Sequence, residues 1–242
     1  MNWLSGSSVG QINEIPSRQF NALNGEQFGR LLRKGAVSTR ERNIIAQAFV
    51  GNVPEHVRRL NPIFITKRLK NGRKVHGKIF VSSDYFSIGS NQRYLRIPMT
   101  PMTAQVIADR FHLVIPTRKM VKLIYANAAV KLRPRPMPPG KAMTSIDYYE
   151  THNQTIQGQL VGKDINQLIA GHKKDIVNTR RLLRRPRQVA IFGWHRRSGK
   201  VIQPLSLVHV NTYADYSHGV RYVRDKMEVD GKMMSIRDVL QH

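Results

Sequence analysis

The 242-residue sequence contains no cysteine and no long apolar run. The absence of cysteine excludes disulfides, thiolate metal ligands and a cysteine nucleophile. No run approaches the ~18 apolar residues that a membrane-spanning helix needs, so we predict no transmembrane segment. Residues 1–20 also lack a charged stretch followed by an apolar one. We therefore expect no ordinary secretory signal, although a signal trimmed from the chain would leave no trace.

Acidic residues are also scarce. The chain has 15 Asp+Glu against 40 Lys+Arg, which gives a formal net charge of +25 at pH 7. A surface of this charge attracts anionic polymers such as nucleic acid or acidic cell-wall glycans. Basic residues are concentrated in two stretches, between Glu55 and Asp84 and at 180–187. The residues that we expect to bind a polyanion are Lys67, Arg73, Lys119, Arg133, Arg181 and Arg184.

The hydrophobic pattern predicts an α+β fold with mainly antiparallel β-hairpins and helices packed around them. Alternating residues on both sides of Asn71-Gly72 predict one hairpin, and the apolar runs that flank 196–200 predict another. Capping residues and helical spacing predict helices near 25–33, and from 38, 103, 117 and 144 onward.

A proline-rich segment at 131–140, KLRPRPMPPG, divides the chain. Its prolines forbid a helix, so we expect an exposed, extended segment. It is either a linker or a strap across a single domain. The predicted organisation is an N-terminal arm at 1–24, a front α+β part at 25–130, this segment, and a back part at 141–242 that carries the candidate site.

Side chains with catalytic potential are dense between residues 188 and 223. Histidine titrates near neutrality and can transfer a proton or bind zinc. The candidate catalytic residues are His172, Asp175, His195, His209, Asp215, Ser217 and His218. Candidate substrate-binding residues are Trp194, Tyr213, Tyr216 and Arg221.

Two mechanisms stay open for these residues. In one, Ser217 is the nucleophile, His195 or His209 is the base, and Asp175 or Asp215 orients that base. In the other, two or three histidines and one aspartate hold Zn²⁺ and leave a position open for water. We further predict that His195 and His209 lie within side-chain reach of each other, that Asp215 or His218 completes the cluster, and that His172 approaches it. The alternative is that these are ordinary core or surface residues and that the basic run is a solvated face.

Several segments resemble those of an uncharacterised family of hypothetical proteins from bacteria, often exported, and from phages. They include GNVPEHVRRLNP (51–62), SDYFSIGS (83–90), AGHKKDIV (170–177), VAIFGWH (189–195) and YADYSHGVR (213–221). The resemblance spans residues from about 50 to 223 and implies no settled activity. It favours an exported or virion-associated location over a cytoplasmic one. Residues 217–221 are also similar to the SHGC(I/V)R signature of L,D-transpeptidases, but the nucleophilic cysteine is missing, which excludes that thiol route.

The leading hypothesis is a hydrolase that acts on a cell-envelope polymer, peptidoglycan or an attached glycan. The alternative is a non-enzymatic basic structural or binding protein, such as a phage virion component that contacts nucleic acid or other virion proteins. A catalytically inactive relative retained for binding is a third option. The enzyme requires that His172, His195, His209 and Asp215 meet in one cleft, whereas the binder requires basic residues aligned on a face.

Overall fold

The computed structural model describes residues 10–241 of the chain, apart from the side chain of Gln241. The fold is α+β, as predicted. The helices of the described residues are α1 (Gly25–Arg33), α2 (Val37–Phe49), α3 (Glu55–Arg58), α4 (Pro101–Arg110), α5 (Arg118–Asn127), α6 (Ile146–Leu160) and α7 (Ile236–Gln241). None of these helices is long and apolar enough to cross a membrane.

The strands are short, except for those of the first hairpin. They are β1 (Gly10–Gln11), β2 (Arg59–Arg68), β3 (Lys74–Ser82), β4 (Ser87–Gly89), β5 (Tyr94–Arg96), β6 (Leu113–Val114), β7 (Val130–Lys131), β8 (Ile169–Ala170), β9 (Lys174–Ile176), β10 (Ile191–His195), β11 (Val201–Ser206), β12 (His218–Gly219), β13 (Val223–Arg224), β14 (Lys226–Val229) and β15 (Lys232–Ser235).

A seven-stranded antiparallel sheet is built on the predicted β2–β3 hairpin. Its main path is β1-β2-β3-β13-β6, and β14 pairs with β3 and β15. The hairpin register places Ile63 opposite Ile79, and both side chains are buried, whereas Phe64 is exposed. Gly72 supplies the left-handed turn conformation with φ +83°. The alternation of buried and exposed residues therefore has the period of two that the sequence indicates.

A second sheet carries four of the candidate site residues: Asp175, Trp194, His195 and His218. Its strand order is β11-β10-β9-β12, with β12 parallel to β9 and the other pairs antiparallel. Phe192 lies opposite Asp175, and His218 lies opposite Lys174. The register thus brings the segments at 170–177, 189–195 and 213–221 together at the centre of one small sheet.

Helix α2 begins differently from its prediction. The spacing of Ser38 and Glu41 predicts a capping box, but the helix begins at Val37 and no side chain caps it. The carboxylate of Glu41 instead accepts hydrogen bonds from the backbone N–H and the hydroxyl of Thr100, at 3.0 and 2.8 Å. Glu41 therefore joins α2 to the start of α4, because a long-range partner has replaced the local one.

The proline-rich segment runs along the back part and contains no helix. Leu132 is buried, its N–H donates to the Ala170 carbonyl at 2.9 Å, and the N–H of Met137 donates to the hydroxyl of Tyr216 at 2.7 Å. These contacts are those of a strap. The larger sheet also combines strands from both sides of the segment, since β3 pairs with β13 and β14.

The predicted N-terminal arm lies partly outside the described residues, which begin at Gly10. In the described part, β1 pairs with β2, and Ile12 and Ile15 are buried in the largest apolar cluster. That cluster also contains Trp194, Tyr216 and Tyr222. The arm and the candidate site are therefore joined by one continuous core.

Candidate functional site

A buried triad, formed by Asp84, Arg96 and His172, holds the first candidate histidine inside the protein. Arg96 Nη2 and Nε donate to Asp84 Oδ2 at 2.6 and 2.9 Å, and His172 Nε2 lies 3.0 Å from Asp84 Oδ1. All three side chains are 0% exposed. This Asp84 triad satisfies the charges of Asp84 and Arg96 without solvent, which a buried pair requires.

The pKa values in the triad follow from burial and from Arg96. Burial alone would raise the pKa of Asp84, but the charge of Arg96, the interaction with His172 and the hydrogen bonds from both side chains together outweigh burial and hold this pKa well below its usual range. Burial lowers the pKa of His172 to about 4, against the attraction of Asp84. His172 is therefore neutral at pH 7, and Arg96 alone balances the Asp84 charge.

Asp175 lies in a second buried group, with Tyr85 and Arg221. The Tyr85 hydroxyl donates to Asp175 Oδ2 at 2.9 Å, and the Arg221 guanidinium lies 4.3 Å from the centre of the Tyr85 ring. Arg221 donates to the carbonyls of Ser82 and Ile169, at 2.8 and 2.6 Å. Burial raises the pKa of Asp175 to about 7, although Arg221 Nε is only 3.9 Å from Oδ1.

Gly193 makes room for the Asp175 carboxylate. It has φ +117°, a conformation that glycine adopts at little cost. A Cβ at this position would lie 3.2 Å from Asp175 Oδ2. The glycine of the GWH segment is therefore required by backbone conformation and by the neighbouring side chain.

Lys173 is a third buried charge. Its Nζ donates to the Tyr216 carbonyl at 2.6 Å and lies 3.4 Å from His152 Nδ1. Burial, together with the charge of Arg96, lowers the pKa of Lys173 to about 7. The amine therefore lies between the backbone of Tyr216 and the side chain of His152 on helix α6.

The remaining candidates form the His218 cluster, which consists of His209, Tyr213, Asp215, Ser217 and His218. The rings of His209 and Tyr213 stack at 4.3 Å, and the centres of the His209 and His218 rings are 6.2 Å apart. The Tyr213 hydroxyl donates to Asp215 Oδ2 at 3.1 Å, and His218 Nε2 lies 3.8 Å from the same oxygen. His209 and Tyr213 are half-buried, whereas the other three are buried.

Within the described chain, neither ring nitrogen of His218 has a hydrogen-bond partner, although the side chain is 0% exposed. Burial lowers the pKa of His218 to about 4, against the opposing attraction of Asp215. A buried imidazole without partners is unusual, because a buried polar group normally makes a hydrogen bond.

Ser217 does not have the environment of a nucleophile. Its hydroxyl donates to Asp215 Oδ1 at 2.5 Å, and its N–H donates to the same oxygen at 2.7 Å. This is the pattern of an Asx turn, in which an aspartate side chain binds the backbone two residues later. The hydroxyl is thus held by a carboxylate that fixes the turn, and no imidazole activates it.

The structure does not bring His195 to His209. The Val189 N–H donates to the His209 carbonyl at 3.0 Å, whereas His195 lies at the other end of β10, six residues and roughly 20 Å away. There His195 stacks on Tyr125 at 4.2 Å. The reason is the hairpin itself, because the antiparallel strand β11 returns the chain to the beginning of β10.

Most candidate substrate-binding residues are internal. Trp194 is buried and donates its indole N–H to the His172 carbonyl at 3.2 Å. Tyr216 and Arg221 are also buried, so only Tyr213 keeps partial exposure. Burial leaves Trp194, Tyr216 and Arg221 no surface on which a polymer could bind.

The predicted polyanion-binding residues lie in several places. Arg181 and Arg184 line a groove beside β11, and Lys67 and Lys119 line a different, apolar groove. Arg73 is exposed in the β2–β3 turn, and Arg133 is exposed on the strap. In the described part of the chain, no group of three or more His, Asp or Glu side chains is placed to hold a metal ion.

Four residues of the buried groups are not among the candidates predicted from the sequence: Asp84, Tyr85, Arg96 and Lys173. The sequence does give a sign of two of them, since a charged residue stands within or beside an apolar stretch. Arg96 interrupts the apolar residues at 94–97, and Asp84 directly precedes Tyr85-Phe86. Such residues are rarely buried unless they are paired, so they indicate a partner elsewhere in the chain.

Comparison with known proteins adds nothing to these observations: no protein-family model, curated protein or solved structure matches the chain.

Proposed function

We propose that the protein binds nucleic acid through the phosphate backbone, as a non-enzymatic basic binding protein. The observation that carries this proposal is the arginine surface, which consists of Arg180, Arg181, Arg184, Arg185 and Arg187. All five side chains are exposed. None of them forms an ion pair with any residue between 10 and 241.

The local backbone places three of these arginines along a groove. Residues Arg180–Arg184 form a 3-10 helix, in which side chains three positions apart point the same way. Arg181 and Arg184 have this spacing, and both line the groove together with Arg185 and the edge strand β11. The groove has a volume of about 640 Å³. An extended chain of phosphates would therefore meet several guanidinium groups at once.

Arginine suits this role better than lysine, because a planar guanidinium donates two parallel hydrogen bonds to one phosphate. The described residues that line the groove include no aromatic side chain, so bases have no stacking partner there. Both features favour binding to a duplex backbone with little dependence on base sequence.

The test is the salt dependence of duplex DNA binding, measured by fluorescence anisotropy. A variant carrying Arg181→Gln, Arg184→Gln and Arg185→Gln should bind more weakly. The slope of log K against log salt should fall by about 0.9 for each phosphate that the variant no longer neutralises. The matched control carries Arg196→Gln, Arg197→Gln and Lys200→Gln, which remove the same charge from the exposed β10–β11 turn.

Equal losses in the two variants would mean that net charge alone attracts DNA, and would refute the arginine surface as the binding site. Binding that does not change with salt would refute phosphate contact altogether. A parallel titration with a teichoic acid tests the other common phosphodiester polymer. Tighter binding of that polymer than of DNA would transfer the proposal to the cell envelope.

A hydrolase of a cell-envelope polymer is the second candidate, and the His218 cluster favours it. The half-buried His209 is open to solvent on one side, and His218 lies behind it against Asp215. A half-exposed imidazole of this kind is able to exchange a proton with a bound water or a leaving group. Peptidoglycan or an attached glycan would be the substrate, and water rather than Ser217 would attack it.

His209→Ala tests this second candidate, with release of soluble fragments from purified cell walls as the assay. The variant should lose turnover while its thermal midpoint stays close to that of the original protein. The control is His76→Ala, which changes an exposed histidine on β3. Full activity in His209→Ala, or no activity in the unaltered protein on peptidoglycan and its glycans, would eliminate the hydrolase.

A further inference from the structure

An apolar groove separates the β2–β3 hairpin from helices α5 and α7, far from the arginine surface in sequence. Its volume is about 330 Å³. The apolar side chains that line it are Ile65, Leu69, Val75, Ile79, Met120, Leu123, Met227, Val229, Val239 and Leu240. The charged side chains among the described lining residues are Lys67 and Lys119, and no acidic residue accompanies them.

No residue between 10 and 241 neutralises the two lysines. Lys67 is exposed on β2, and Lys119 is exposed in the first turn of α5. Neither of them is in an ion pair with another described residue. A concave apolar wall with a few converging polar groups is the usual form of a small-molecule site.

We infer that this groove binds a single-chain amphiphile with an anionic head group, of the fatty-acid class. The apolar wall takes the hydrocarbon chain, because burial of apolar surface from water is favourable on both sides of the contact. Lys67 and Lys119 pair with the carboxylate. A nucleic acid backbone fits this groove poorly, since it would cover apolar side chains with phosphates.

The floor of the groove is apolar. Gly77 on β3 has no side chain, and a Cβ at this position would lie 3.3 Å from Met227 Cε and 3.8 Å from Ile65 Cβ. Met227 and Ile65 therefore pack closely over the glycine, and their side chains form part of the apolar lining that a hydrocarbon chain would contact. Val75 and Leu123 are half-buried at the sides of the groove, so their apolar surface is still available to a ligand.

The test uses two probes of equal chain length, dodecanoate and 1-dodecanol, which compete with a fluorescent fatty acid below their micelle concentrations. The full chain should bind dodecanoate at one saturable site. A Lys67→Met, Lys119→Met variant should bind dodecanoate about tenfold more weakly, which is the effect of losing two exposed ion pairs. Its affinity for 1-dodecanol should be unchanged. The matched control is Arg197→Met, Lys200→Met in the β10–β11 turn, which should change the binding of neither probe.

Val75→Trp should block both probes, because Val75 lines the groove and an indole there would fill part of its volume, and because aromatic residues are well tolerated in strands. If circular dichroism shows that this variant does not fold, Leu240→Trp at the groove's exposed end replaces it. Unchanged dodecanoate binding in the folded tryptophan variant, or in the lysine variant, would overturn the inference. Lysophospholipid binding without fatty-acid binding would overturn it too. DNA binding is measured separately, so either proposal can fail without the other.

Discussion

Removal of Asp84 should be among the most damaging single changes that this chain can undergo. The carboxylate accepts three hydrogen bonds from Arg96 and His172, and a fourth from the N–H of Tyr85 at 2.7 Å. In Asp84→Ala, the buried guanidinium of Arg96 keeps Asn153 Oδ1 at 3.1 Å and the Tyr94 hydroxyl at 3.2 Å, which are neutral acceptors. The positive charge is then buried without a counter-charge.

Breaking a buried ion pair on one side costs about 3–5 kcal/mol, because the remaining charge is left without compensation. We expect a loss of this size in the free energy of unfolding of Asp84→Ala. Asp84→Asn keeps an oxygen for hydrogen bonding but not the charge, so its loss of stability should fall at the lower end of this range. A double variant, Asp84→Ala with Arg96→Met, should recover part of the loss, since no unpaired charge remains.

Urea unfolding followed by circular dichroism measures these differences through the transition midpoint at constant slope. The control is Asp147→Ala, which removes the exposed partner of Arg33 in a surface ion pair of 2.8 Å. That loss should be below about 1 kcal/mol. Equal losses for Asp84→Ala and Asp147→Ala would refute the reasoning, as would a double variant less stable than either single one.

Two further predictions concern pH and backbone conformation. Burial lowers the pKa of five histidines in the folded protein below the unfolded value of ~6.5. Between about pH 6.5 and pH 4 the unfolded chain therefore binds more protons than the folded protein does, so the free energy of unfolding should fall as the pH falls through this window. Those histidines are His56, His152, His172, His195 and His218. The raised pKa of Asp175 has the opposite effect on stability, but it involves only one proton. A urea midpoint at pH ~5 equal to that at pH ~7 would contradict the prediction. Gly193→Ala should lose about 1–3 kcal/mol from its positive φ and from crowding of Asp175. The matched control Gly158→Ala, in α6 with open space around it, should gain about 0.5–1 kcal/mol of stability. If the thermal midpoints of both variants move in the same direction, the φ angle of the glycine does not determine the effect of the substitution.

Local patterns predict much of the fold. The alternation around Asn71-Gly72 predicts β2 and β3, because a half-buried strand repeats every two residues whatever its distant partners are. Thr117 is predicted to begin a helix, and its side chain does accept the Met120 N–H at the start of α5. The predicted capping box at 38–41 is wrong because a distant partner decides the outcome there. Glu41 forms its hydrogen bonds with Thr100, which is 59 residues away.

The site is less predictable, because its partners are distant in sequence. His172 and Asp84 are 88 residues apart, and Tyr85 and Asp175 are 90 residues apart. Density of histidines along the chain carries no information about such pairs. The predicted approach of His195 to His209 depends on which end of a hairpin a later segment reaches. The connection returns to Val189, and the two imidazoles therefore lie at opposite ends of β10.

The buried polar groups and the arginine surface belong to different stretches of the chain. Each of the five quoted segments supplies a buried side chain: Arg58, Asp84, His172, Trp194 and Arg221. The arginine surface lies between two of these segments and shares no residue with them. Changes in the segments should therefore lower stability before they alter binding, whereas changes at 180–187 should alter binding alone. The proposed binding surface therefore lies outside the core that these segments build together.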